Sequence, residues 1–142
     1  MHAEAFVDTN VLVYAVEGLD TPKPRLARQL LRRPDLAIST QVLNEFYHTV
    51  TSPRREQPLS HDEAIVWLAL WKRFPVQDLT LSIHEAGVRD CDQYCIGIYD
   101  AMIVAAARAL GCRTLFSEDL NEGQDYGGVV ALNPFSRRAR TG

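Results

Sequence analysis

The sequence predicts a single α/β domain, a central parallel sheet of about five short strands flanked by helices. Three observations carry this expectation. Short apolar runs alternate along the chain with longer stretches whose apolar residues recur at helical spacing. Runs so short and so continuously apolar suit strands covered on both faces, as in parallel sheets. The length, 142 residues, fits one domain and leaves no room for a second. A chain of this size buries roughly two-thirds of its unfolded surface, so it needs no disulfide or structural metal to fold.

The first strand is Ala5-Phe6-Val7, ending at Asp8, and Asn10 to Val16 read as a turn and a first helical piece. Pro22 and Pro24 punctuate a loop, after which Leu26, Ala27, Leu30 and Leu31 have helical spacing. Leu36-Ala37-Ile38 form the second strand. Ser39 or Thr40 can cap the next helix, whose apolar face is Val42, Leu43, Phe46, Tyr47 and Val50, and which ends by Pro53. Ser60-His61-Asp62-Glu63 is a capping-box pattern, opening a helix with Ile65, Leu68 and Trp71 inward that Pro75 stops. Val76 to Leu81 is a third strand. Ser82-Ile83-His84-Glu85 repeats the capping-box pattern before a helix from Glu85 to about Cys95, and Gly97 marks a break. Asp100 to Leu110 is Ala-rich and helical, ended by Gly111. Thr114–Phe116 and Val129–Leu132 supply the last two strands. In such a sheet a ligand lies beyond the carboxyl ends of the strands, where strand order reverses.

Apolar residues make up 46% and charged residues 23%, which excludes a disordered chain, a collagen-like repeat and a coiled coil. The net charge of −3 argues against a DNA-coating protein, though not against a nuclease with an acidic centre and an Arg rim. Lysine occurs only at Lys23 and Lys72; every other basic residue is Arg, which suits bidentate contact with phosphate. Cys91, Cys95 and Cys112 are odd in number and expected to be reduced thiols. No apolar run is long enough to span a membrane, and no basic region precedes an apolar stretch at the N-terminus. A cytoplasmic protein is expected.

Four acids fall where the sheet rule directs attention. Asp8 follows the first strand, Asp119 follows the fourth after Ser117-Glu118, Asp100 opens the Ala-rich helix, and Glu45 lies at the edge of an apolar helix face. Each has an ordinary explanation: Asp8 and Asp100 as helix-end residues, Glu45 as a solvated side chain, Asp119 as part of a loop. Taken singly, that explanation is the better one, and only convergence favours chemistry. Carboxylates gathered in one crevice repel and raise each other's pKa, unless a divalent cation supplies positive charge. Oxygen ligands without His or Cys favour Mg²⁺ or Mn²⁺, which can orient a water for in-line attack on a phosphodiester.

The string Phe6-Val7-Asp8-Thr9-Asn10-Val11-Leu12-Val13-Tyr14 resembles the opening of the PIN domain. Ile38 to Phe46, with Glu45, is similar to the family's second motif; Tyr99 to Ala107, with Asp100, to its third; Leu115 to Asn121, with Asp119, to its fourth. The resemblance runs from Phe6 to about Phe135. It implies a PIN-like nuclease domain over 1–135 and a basic tail over 136–142. Size and motif style are most similar to VapC-type toxins of toxin–antitoxin pairs. That implies an Mg²⁺- or Mn²⁺-dependent endoribonuclease with Asp8, Glu45, Asp100 and Asp119 as catalytic, metal-binding acids. Thr9, Asn10 and Ser117 would be polar helpers. It also implies a homodimer and a protein antitoxin that occludes the site. Glu118 stands beside Asp119 as an alternative fourth acid.

Arg54 and Arg55, in a polar loop, are possible RNA contacts, with a solvated loop the equal alternative. Arg89 and Arg108 lie on later helices, and Arg137, Arg138 and Arg140 form the tail. Trp67 and Trp71 are better read as packing than as base-stacking residues. Two other functions compete. A phosphatase-type hydrolase is suggested by Asp8 followed by Asn10, but neither Lys23 nor Lys72 sits in a matching context. A non-catalytic nucleic-acid-binding module is the other, and the complete acidic set argues against it.

Overall fold

The structure, a computed structural model, describes residues 3–136; the tail arginines Arg137, Arg138 and Arg140 lie outside the described residues. The elements run β1 (Ala5–Val7), α1 (Thr9–Ala15), α2 (Pro22–Leu30), β2 (Leu36–Ser39), α3 (Thr40–Val50), α4 (His61–Trp71), β3 (Val76–Gln77), α5 (Leu81–Tyr94), α6 (Ile98–Ala109), β4 (Thr114–Phe116) and β5 (Val130–Leu132). The five strands form one sheet in the order β3-β2-β1-β4-β5, every pair parallel. This is the predicted fold class.

Burial explains the short apolar strands. Every residue of β1 and β2 is buried, so both sheet faces are covered at its centre. In α6 the unbroken stretch Ala101–Ala107 is buried, because this helix packs against β2 and β4 and also under α5. Small alanines allow that double burial without a cavity or a clash. Helix α1 packs on α2 and α3.

Strand order fixes the site. The chain adds β2 and β3 on one side of β1, then β4 and β5 on the other, so direction reverses between β1 and β4. The ends of those two strands are tied where the Asp8 amide donates to the Phe116 carbonyl at 2.9 Å.

Several boundaries differ from the sequence expectation. Pro22 and Pro24 open α2 rather than precede it, because first-turn amides have no intrahelical acceptor and proline loses nothing there. β3 stops at Gln77, and the Leu79 amide donates to the Thr40 hydroxyl at 3.1 Å instead of extending the ladder. Thr80, not Ser82, caps α5, accepting from the Ile83 amide at 3.2 Å. α6 begins at Ile98 with Gly97 as its cap residue, which puts Asp100 within the first turn. The Ser60–Glu63 capping box forms as expected. In α4, however, Ile65 is 47% exposed, and Ala64 takes the inward position beside Trp71.

Candidate active site

Asp8 directly follows β1 and is the N-cap of α1, and that placement fixes its side chain. Oδ1 accepts from the Thr9 amide at 2.7 Å, and Oδ2 accepts from the Ser117 hydroxyl, also at 2.7 Å, across the β1–β4 junction. Asp8 is only 4% exposed. Burial pushes its carboxyl up to about 7; the bonds from Ser117 and Thr9 pull the other way, while the charges of Asp119 and Glu45 push it further up.

Ser117 also orders the next residue but one. Its hydroxyl oxygen accepts from the Asp119 amide at 3.1 Å, and the Asp119 carboxylate receives Asn10 Nδ2 at 3.1 Å. Asp100, half-buried at the start of α6, has its carboxyl pushed up by burial first and then by Asp119. Glu45 is half-buried on α3; its Oε1 accepts from Gln41 Nε2 at 2.5 Å, and the same nitrogen donates to the Tyr99 carbonyl at 3.0 Å. The structure therefore brings the four predicted acids within electrostatic reach of one another, through the pairs Asp8–Asp119, Asp8–Glu45 and Asp100–Asp119. The predicted helpers Thr9, Asn10 and Ser117 stand among them.

Glu118 points elsewhere. Its two oxygens are bound by the Tyr14 hydroxyl at 2.8 Å and by Lys23 Nζ at 3.0 Å. Asp119, rather than Glu118, belongs to the cluster. The same pairing occupies Lys23, one of the chain's two lysines, where a phosphatase-type mechanism would need a lysine free for the phosphate.

A divalent cation suits these residues in two respects. The donor set is all oxygen, and Thr9 Oγ1 and Asn10 Oδ1 are buried beside it with no hydrogen-bond partner among the described residues. Asp8, Glu45 and Asp119 each accept a hydrogen bond from a neutral donor. Among the described residues no three His, Cys, Asp or Glu side chains converge tightly enough to grip an ion. Like charges at close range cost free energy, and a hydroxyl or amide donor to a carboxylate does not.

Gln41 is a site residue that motif reading missed. Its signal is the i,i+4 spacing to Glu45 on one helix face. The Arg54–Arg55 loop lines a cavity of about 400 Å³ with Val13, Glu17, His48, Thr49 and Ser52. Val13 and His48 lie three residues beyond Asn10 and Glu45, about one turn along α1 and α3, and none of the four acids lines this cavity. Arg108 takes no part in it. Its guanidinium bonds Asp90 at 2.5 Å and the Tyr126 carbonyl at 2.9 Å, a structural use.

Comparison with known proteins adds a family. Solved structures similar to this one include a toxin–antitoxin complex from Klebsiella pneumoniae, 23% identical, covering 89% of this chain and 95% of that chain with a TM-score of 0.69. The sarcin-ricin-loop-cleaving toxin VapC20 of Mycobacterium tuberculosis is 20% identical over 81% of this chain and 91% of that chain, TM-score 0.66. DNA-bound VapBC from Salmonella typhimurium is 19% identical over 92% and 98% of the two chains, TM-score 0.67. At these identities the likeness is one of fold. A search of curated proteins finds no match. The profile of the PIN domain matches residues 5–121, from β1 through the loop that carries Asp119. The chain belongs to the PIN domain family.

Proposed function

We propose that the protein is a metal-dependent endoribonuclease and the toxin of a type II toxin–antitoxin pair. The observation that carries this reading is the junction of β1 and β4. There a buried Asp8, a Ser117 hydroxyl and an Asn10-bound Asp119 meet two further acids at the point where strand order reverses. Asp8, Glu45, Asp100 and Asp119 would hold Mg²⁺ or Mn²⁺. A divalent ion there supplies Lewis acidity at a phosphate oxygen and a lowered pKa for an attacking water. Ser117 orients Asp8 and fixes the Asp119 backbone, and Gln41 holds Glu45 against the start of α6. Arg54 and Arg55, in the loop that follows α3, would take the RNA backbone as phosphate contacts.

The toxin assignment rests on the similar folds, which include VapBC assemblies and a toxin–antitoxin complex. It brings with it a cognate protein antitoxin, a homodimer and a cytoplasmic setting. No helix among the described residues is long and apolar enough to cross a membrane. The experiment is cleavage of a mixed RNA population by the purified protein with Mg²⁺, with Mn²⁺ and after EDTA, followed by sequencing of the new RNA ends. Discrete ends that vanish with EDTA are expected. Undiminished cleavage after exhaustive chelation would remove the metal mechanism.

A further inference from the structure

We propose that Tyr14 and Lys23 are positioning residues that hold Asp119 in the acidic cluster by fixing its neighbour Glu118 on the opposite side of the loop, and so raise the site's affinity for a divalent cation. The inference rests on the nuclease reading and deepens it. Asn10 and Tyr14 lie four apart on α1 and therefore on one face of that helix. Each grips one of two consecutive loop residues, Asn10 the carboxylate of Asp119 at 3.1 Å and Tyr14 that of Glu118 at 2.8 Å. Lys23, at the start of α2, closes the second oxygen of Glu118 at 3.0 Å.

The clamp has its own support. The Lys23 ammonium stands 5.2 Å from the centre of the Tyr14 ring and 5.8 Å from that of Phe135. Those two rings meet edge to face at 5.0 Å. With both oxygens of Glu118 engaged, the loop cannot rotate Glu118 inward without breaking a charge-assisted bond, and that rotation would carry Asp119 out. Lys23 is thereby given a task that phosphate binding does not explain.

The test compares Glu118→Ala, Lys23→Met, Lys23→Arg and Tyr14→Phe with the wild-type full chain. Mn²⁺ affinity is measured by calorimetry, and the position of Asp119 by the NMR resonance of the Asn10 side-chain amide without metal. Glu118→Ala and Lys23→Met should weaken Mn²⁺ binding about tenfold, the lower end for outer residues of a metal site. Both should shift the Asn10 amide, while Lys23→Arg restores both readouts toward wild type. Cleavage at saturating Mn²⁺ should return to near the wild-type rate, which a general loss of structure would not allow. Folded variants with wild-type Mn²⁺ affinity and an unmoved Asn10 amide overturn the clamp. If Glu118→Ala does not fold, Tyr14→Phe decides, since it keeps the ring against Phe135 and removes only the hydroxyl. A wild type that binds no Mn²⁺ overturns the nuclease reading and the metal tuning with it, while the Asn10 amide still reports on the clamp.

Discussion

Asp8 and Asp90 are both 4% exposed, yet the fold treats them in opposite ways. Asp90, on α5, faces a cation from within the chain, the Arg108 guanidinium of α6, which Tyr126 also anchors through its carbonyl. Asp8, beyond the carboxyl end of the central strand, faces a hydroxyl, an amide and two more carboxylates, and no basic side chain among the described residues pairs with it. A buried carboxylate that the fold neutralises is part of the scaffold. One that it leaves opposed only by neutral donors and like charges costs stability, and such groups concentrate at functional sites.

The largest expected effect separates the two aspartates by activity. Asp8→Asn should lower RNA cleavage about 10³-fold or more, several kcal/mol of transition-state stabilisation, while the protein stays folded. Asp100→Asn should behave alike. Asp90→Asn should leave the cleavage rate near wild type below its melting temperature. Single-turnover cleavage of one RNA by all three checks this, and a fast Asp8→Asn enzyme would make the two sites equivalent.

Stability should separate them with the opposite sign. Folded Asp8 keeps its proton up to about 7, against 3.8 for the free carboxyl. The folded state therefore binds the extra proton between those values. Asp8's contribution to stability is fully present below about pH 3.8 and is lost as pH rises to about 7. Asp8→Asn, melted in EDTA, should remove that slope and gain roughly 2–4 kcal/mol at pH 8. Asp90→Asn leaves Arg108 without its partner and should cost about 1–3 kcal/mol at the same pH, discounted because the Arg108 side chain is 30% exposed. An Asp8→Asn protein less stable than wild type at pH 8 would reduce Asp8 to a helix cap.

A smaller effect concerns cation response. Mg²⁺ should raise the wild-type melting temperature by binding only the folded state. Asp100→Asn, which removes one charge from the cluster, should melt higher than wild type in EDTA and gain less from the same Mg²⁺. Equal responses would place Asp100 outside the metal site. Smallest is the effect at the Arg54–Arg55 loop. Replacing both by Ala should lower the salt slope of RNA binding by roughly 1–2, with Mg²⁺ affinity unchanged. An unchanged slope would make that cavity wall a solvated surface.

The alternation of apolar runs was enough to predict the sheet, because period and run length are local properties of the chain. Asp8, Asp100 and Asp119 were legible for the same reason, since each stands near an element end, and Glu45 from its place at the edge of an apolar helix face. Their ordinary explanations also proved real: Asp8 does cap α1, and Asp100 does lie in the first turn of α6. Capping and clustering are compatible, so no single position could distinguish them. Glu118 and Asp119 are adjacent and chemically alike, and only contacts with Tyr14, Lys23 and Asn10, distant in sequence, separate them. The sequence places Arg108 on a helix without naming its partners, which are Asp90 and the Tyr126 carbonyl. Which residues carry acid, hydroxyl or cation is written in the sequence. Which carboxylate receives a counter-charge depends on distances across the fold, and electrostatic energy varies with those distances and with burial, quantities that exist only once the strands have come together.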